Sequence, residues 1–304
     1  MVLKPWKKLH GIFCIYKPPD VSLPRVAGTI IGNLVQDLNE EIVPHKENLV
    51  TIEGGTDSKL AVKVSEKLAV HPLAIGAGYV KEDIRLIFAN HLSKTSSGVC
   101  IVGLNKVASL ATVIKHSRLI RTYRISGVFG KSTINLHISG KVVEKSRYSH
   151  VNLHHLEKVL MTIQASHQKG AMDWLSANLS SQESYEALAE EGIVRPASNS
   201  FPLAYSLKCV EYNPPDFAID VSCINENEHF LRKIIHDTGL FLKTNAVASK
   251  IRCLRYGPFT LDDALLRKHW RLEHVVDNID HLRPRCFDII PKSASLEKME
   301  EVGS

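Results

Sequence analysis

Five basic side chains, Lys115, Arg118, Arg121, Arg124 and Lys131, stand between residues 115 and 131 with no Asp or Glu among them. A run of cations without neighbouring anions attracts polyanions, and the phosphate ladder of a nucleic acid is the polyanion it would hold most strongly. The same residues also read as the solvated basic edge of a strand. The net charge of +6 over 304 residues is compatible with nucleic acid without demanding it.

Other chemistries find little support. Cys14, Cys100, Cys209, Cys223, Cys253 and Cys286 are scattered singly, without a CxxC pair or a Cys/His spacing that suits zinc. They read as reduced core thiols of an intracellular protein. The fifteen histidines include no HExxH, and the adjacent His154 and His155 would point apart on a helix, so no metal is expected. Ser93 and Ser97 lack a GxSxG elbow, which leaves a serine hydrolase as a formal alternative only.

The elements that position these residues alternate between strand and helix patterns. Gly11 to Tyr16 is β-rich and is stopped by Lys17, Pro18 and Pro19; residues 24 to 38 look helical. Residues 40 to 80 carry Pro44, Gly54, Gly55, Gly76 and Gly78 and predict a long irregular excursion. Ser97 to Gly103 reads as a buried strand, Val107, Leu110, Ala111 and Ile114 as a helix face, and 121 to 130 as the strand carrying the basic cluster. Leu153, Leu156, Leu160 and Ile163 mark a helix, and Tyr185, Leu188 and Ala189 another that ends at Gly192. Strands at 205–212 and 216–223 flank Asn213, Pro214 and Pro215, and a helix follows over about 227–242. Thr260 with Asp263 three residues on signals the start of the last helix, and residues 286–304 form a polar tail expected to be disordered.

Strand pairs mixed with helices, without a regular βαβ rhythm, predict an α+β domain around a mostly antiparallel sheet, spanning 1–285. With 44% apolar and 23% charged residues the chain can bury an ordinary core, and no apolar run approaches a membrane span. Lys4, Lys7, Lys8 and Lys17 precede the first acid, Asp20, in the manner of a mitochondrial targeting segment. A strand from about Gly11 would leave too few residues for a conventional cleavable presequence.

Short motifs in one order resemble the TruB family of pseudouridine synthases, particularly its animal mitochondrial branch. They begin with Gly11, Ile12, Phe13, Ile15, Tyr16, Lys17 and Pro18, and continue with Leu92, Ser97, Gly98 and the strand to Gly103. Arg121, Thr122 and Tyr123 resemble the family's Lys-x-Tyr; Gly130, Lys131 and Thr133 its Gly-x-x-Thr. Ile163, Gln164, Tyr185, Glu186, Ala189, Gly192, Arg195 and Pro196 resemble its middle segment. Phe230, Leu231, Arg232, Asp237 and Gly239 resemble its Tyr-Ile-Arg helix; Ile251, Arg252, Arg255, Gly257 and Phe259 its closing strand. No extra RNA-binding PUA domain of the kind in bacterial and archaeal relatives is expected after these.

The resemblance implies a pseudouridine synthase fold with a basic RNA-binding cleft. It implies a cofactor-free reaction in which a uridine leaves its stack, its bond from sugar to base is cut, and the uracil turns and rejoins through carbon. Tyr123 would stack on the base, and Arg232 would pair with the catalytic aspartate. Lys17, Arg118, Arg121, Arg124, Lys131, Ile251 and Arg252 would hold the RNA. The aspartate itself is missing: Ser93 stands in its place. A hydroxyl is neutral near pH 7 where the reaction needs an anionic oxygen. Ile134, His137 and Ser139 stand where relatives are acidic, and Cys253 replaces the second arginine of the closing motif. Arg232, without its partner, is expected to turn to Glu82, Asp83, a phosphate or water.

Three functions follow. The first is an RNA-binding protein of mitochondrial RNA, whether mRNA, tRNA or rRNA, with lost or much reduced catalysis and with RNA-granule or ribosome-assembly proteins as candidate partners in the matrix. The second is an active synthase using a displaced acid such as Asp83. The third is the serine hydrolase.

Overall fold

The computed structural model describes residues 4–41, 48–53, 61–66, 78–178 and 201–289. In chain order its helices and strands are α1 (Lys4–Lys8), β1 (Gly11–Lys17), α2 (Leu23–Glu40), β2 (Asn48–Glu53), β3 (Ala61–Glu66), β4 (Leu86–Phe88), β5 (Ser97–Leu104), α3 (Ala108–His116), β6 (Arg121–Phe129), β7 (Lys131–Thr133), β8 (Val142–Lys145), α4 (Leu153–Asn178), β9 (Leu203–Asn213), β10 (Asp216–Ile224), α5 (Glu228–Phe241), β11 (Ala246–Tyr256), β12 (Phe259–Thr260) and α6 (Leu272–Ile289).

One eight-stranded sheet organises the molecule in the order β1-β5-β11-β6-β10-β9, with β4 added to β5 and β12 to β11. All of its pairings are antiparallel except β5 with β11. This is the α+β, mostly antiparallel architecture that the mixed pattern predicts. Every residue of β5 is buried, as its unbroken apolar run requires of a strand covered on both faces. One close approach fixes the parallel junction. Gly98 has φ +113° and pairs with Cys253, and a Cβ at Gly98 would run into the Cys253 backbone. The Ser97-Gly98 step is therefore demanded by backbone packing.

Helices close the faces through stripes at helical spacing. On α2 the buried residues are Leu23, Val26, Ile30, Leu34 and Leu38; on α5 they include Phe230, Leu231, Ile234 and Ile235. The α5 N-terminus is set by Asn227, whose side chain accepts from the Phe230 amide at 2.7 Å. The tight 213–215 link joins β9 to β10 as an antiparallel hairpin, as its Asn-Pro-Pro content predicts.

Three sequence expectations need correction. The 40–80 excursion contains a two-stranded antiparallel sheet, β2 with β3, whose alternating runs Val50 to Glu53 and Val62 to Ser65 lie among the Pro and Gly that suggest irregular chain. Thr260 and Asp263 do pair, but in one direction: the Asp263 carboxylate accepts from the Thr260 amide and hydroxyl at 2.9 and 3.0 Å. They close a turn, however, and the last helix begins only at Leu272. That helix reaches Ile289, so residues 286–289 are not tail. The segment 290–304 and the helix expected to end at Gly192 lie outside the described residues.

Candidate functional site

The loop between β4 and β5 carries Ser93, and Lys17 at the end of β1 fixes that loop. The Lys17 amine is fully buried and donates to the carbonyls of Ser96 at 2.6 Å, Pro18 at 3.2 Å and Lys94 at 3.3 Å. Burial lowers its pKa. Lys17 is thus a structural clamp turned inward, not the RNA contact that the resemblance implies.

Ser93 Oγ lies 3.2 Å from Thr95 Oγ1 and 3.2 Å from Ser96 Oγ. Thr95 Oγ1 in turn donates to the carboxylate of Glu228 at 3.0 Å, and the Ser93 hydroxyl favours the charged form of that carboxylate. None of these partners is an imidazole that could remove the serine proton, and the hydrolase reading gains nothing from the geometry.

Glu228 opens α5, where the positive end of the helix favours an anion. Its Oε1 accepts from Thr95 at 3.0 Å and from the Arg232 guanidinium one turn later. Burial would raise its pKa, but the bonds from Ser93, Arg232 and Thr95 outweigh burial and hold it below the ordinary value. Arg232 also donates to the Asn135 carbonyl at 3.2 Å, which joins the loop after β7 to the same cluster. Arg232 therefore turns to Glu228 and not to Glu82 or Asp83. Asp83 sits on an exposed turn, accepts from the Val80 amide at 2.9 Å, and does not line the cleft.

Facing this cluster, Tyr123 on β6 is almost wholly buried and donates through its hydroxyl to Glu226 at 2.6 Å. Burial, with the Glu226 charge, raises its pKa and keeps the phenol neutral. Arg121, two residues earlier on β6, pairs with the same Glu226 oxygen at 2.7 Å, donates to Tyr256 Oη at 2.9 Å, and lies 4.5 Å over the Tyr256 ring. Burial alone would lower the Arg121 pKa, but Glu226 and the two tyrosines raise it above its ordinary value. Arg121 faces into the fold. A cleft of about 160 Å³ lies here, lined by Ser93, Glu228 and Leu231 together with Tyr123, Arg121, Glu226 and Ile251, with Lys115 also at its wall.

The remaining basic residues lie outside the cleft lining. Arg124 makes a two-point bond with Asp220 at 2.8 and 3.0 Å, and Arg252 donates to Tyr16 Oη at 2.8 Å and lies 5.4 Å over that ring. Lys131 is exposed, and Arg118 holds a left-handed conformation at φ 50°. The structure thus brings Ser93, Tyr123, Arg232, Arg121 and Ile251 into one neighbourhood and places Lys131, Arg124 and Arg252 at other surface positions.

Glu226 and Glu228 were not singled out from the sequence. Their signal is the alternating Asn-Glu-Asn-Glu of residues 225–228, but acids before a helix ordinarily read as capping and dipole residues. Among the described residues, no group of three or more His, Cys, Asp or Glu could hold a metal, and no helix is long and apolar enough to cross a membrane.

Comparison with known proteins gives the family. Residues 85–227 match the family model described as TruB family pseudouridylate synthase (N terminal domain). The chain is 33% identical over 297 residues to the mouse protein named pseudouridylate synthase TRUB2, mitochondrial, covering 95% of this chain and 89% of that protein. The Xenopus tropicalis protein of that name is 34% identical over 285 residues, covering 91% and 87%; human pseudouridylate synthase TRUB1 is 23% identical over 282 residues, covering 91% and 77%. Among solved structures, an H/ACA RNP bound to a substrate RNA containing 2'-deoxyuridine aligns at 15% identity and a TM-score of 0.47, covering 94% of this chain and 57% of that one. This chain spans a little over half the length of that one. From its extent of identity with the TRUB2 proteins, the chain belongs to the TruB family of pseudouridylate synthases, in the TRUB2 branch.

Proposed function

We propose that this protein binds mitochondrial RNA, takes one uridine into the cleft between Tyr123 and Glu228, and has lost or much reduced turnover by the family's route. One observation carries the reading: the guanidinium of Arg232, assigned by resemblance to the catalytic carboxylate, is bound to Glu228, while position 93 offers a neutral hydroxyl. The mitochondrial setting follows from the names of the TRUB2 relatives. A flipped base costs a few kcal/mol of stacking, which an aromatic face and backbone contacts return. Tyr123 supplies the aromatic side chain, with the aliphatic Leu231 and Ile251 in the same lining.

A second reading has its own observation. Glu228 is an ionised carboxylate in the same cleft, so it is the displaced acid of an active synthase if one operates. Uridine-to-pseudouridine conversion by purified protein on mitochondrial mRNA and tRNA transcripts separates the two. The first predicts binding without appreciable conversion. Robust conversion that disappears in Glu228→Gln overturns it and establishes the second.

A further inference from the structure

Two charged residues on the cleft wall are left with unsatisfied atoms. Arg121 Nε and Glu226 Oε2 are buried and have no hydrogen-bond partner among the described residues. The Glu226 side chain is 3% exposed, and all of its bonds, from Arg121 and from the Tyr123 hydroxyl, fall on Oε1. Leaving a buried polar atom unpaired costs free energy that folded proteins generally avoid, so two such atoms on adjoining groups at a cleft call for a ligand. The carboxylate oxygen can only accept and the guanidinium nitrogen can only donate. The ligand must therefore present an N–H or O–H donor close to an acceptor.

We propose that these atoms read the edge of the bound base: Glu226 Oε2 accepts from the N3–H of uracil, and Arg121 Nε donates to a carbonyl beside it. The inference rests on the uridine-binding reading above and names the residues that select the base. On a pyrimidine joined to its sugar through N1, uracil has one edge donor, N3–H, flanked by two carbonyls. Cytosine in the same pose presents a bare acceptor at N3, which a carboxylate repels. The Tyr123 hydroxyl and the Arg121 ion pair fix Oε1, and so hold the carboxylate in one orientation for this comparison. Glu226 is a specificity residue here, distinct from the Ser93–Glu228–Arg232 cluster.

The test uses the intact protein and a short stem–loop RNA with one uridine in its loop. Its affinity is compared with that of the same RNA carrying 3-methyluridine, cytidine or an abasic nucleotide at that position. Uridine is expected to bind about tenfold or more tighter than 3-methyluridine and cytidine, the effect of leaving a buried acceptor unpaired. In Glu226→Gln, whose folding is checked by thermal denaturation, the preference should shrink to about threefold or less. Equal affinity for uridine and 3-methyluridine, both above the abasic RNA, overturns the inference and leaves the uridine-binding reading standing. Equal affinity for all four RNAs overturns both. Full discrimination by a folded Glu226→Gln protein also overturns the inference, and if that variant does not fold, the wild-type series alone decides.

Discussion

Restoring the family carboxylate by Ser93→Asp should fail by itself, because the space is already electrically occupied. Ser93 and Glu228 line one cleft and share Thr95 Oγ1 as a hydrogen-bond partner, so a carboxylate at position 93 would meet a second one at close range, with one guanidinium beside it. Two unit charges about 4 Å apart repel by about 4 kcal/mol at an effective dielectric near 20. The Glu228 side chain is 21% exposed and Arg232 lies against it, and solvent with that shared cation brings the penalty to about 2 kcal/mol. The sign follows from linkage. An acid whose folded pKa is raised loses stability as pH climbs from its unfolded value near 4 toward its folded value, about 1.5 units higher at this penalty, and the whole loss is present at neutral pH. Ser93→Asp should therefore lower stability by about 2 kcal/mol at pH 7 and by little at pH 4. Adding Glu228→Gln removes the competing anion and frees Arg232 for the new carboxylate. The double variant should regain the lost stability and convert uridine on the order of a hundredfold faster than the single variant. Urea denaturation across pH and pseudouridine quantification on a bound transcript measure both quantities. A single variant as stable and as active as the double would refute the reasoning, since Glu228 would then not control Arg232.

Lys17→Met should leave three loop carbonyls without their donor and destabilise the protein by about 2–3 kcal/mol, read by urea denaturation, with the loop amides of 94–96 exchanging faster with solvent deuterium. Gly98→Ala places a Cβ into the Cys253 backbone at a left-handed φ, and should cost on the order of 3 kcal/mol or more or prevent folding, measured by melting temperature and soluble yield. Acidification should weaken the fold below about pH 6.5, because burial first of all lowers the pKa of His10, His137 and His167. Such groups stay neutral in the fold while the unfolded chain takes up protons, so their contribution is complete above the unfolded value and is lost as pH falls through the folded one. Melting temperature against pH should show this slope, and His167→Gln should flatten it.

The periodic elements were legible because burial acts locally on the pattern. The α2 stripe, the unbroken β5 run and the proline-bearing hairpin each carry their own signal at fixed spacing. The resemblance in ordered motifs was legible for a related reason: Gly98 and Tyr123 answer to backbone packing and to the cleft, and both leave a residue type behind. The absence of an aspartate at position 93 was likewise plain from the sequence.

Which charge meets which was not written there. Lys17, which the resemblance assigns to RNA binding, is a buried clamp; Arg121, which reads as part of a basic cluster, lies over Tyr256 in an ion pair with Glu226. Residue types give the sign of a charge, whereas its partner depends on strand order and helix rotation. The β1-β5-β11-β6 arrangement and the α5 N-terminus bring residues 17, 93, 123 and 228 together across more than 200 positions of chain. The sequence by itself determined the family pattern and the missing acid. Glu228 takes Arg232 as an i, i+4 pair that the helix period already offers along the chain; only the tertiary structure, by packing α5 against that sheet, decided that this pair lies beside Ser93 and Thr95, because proximity between distant segments leaves no period along the chain.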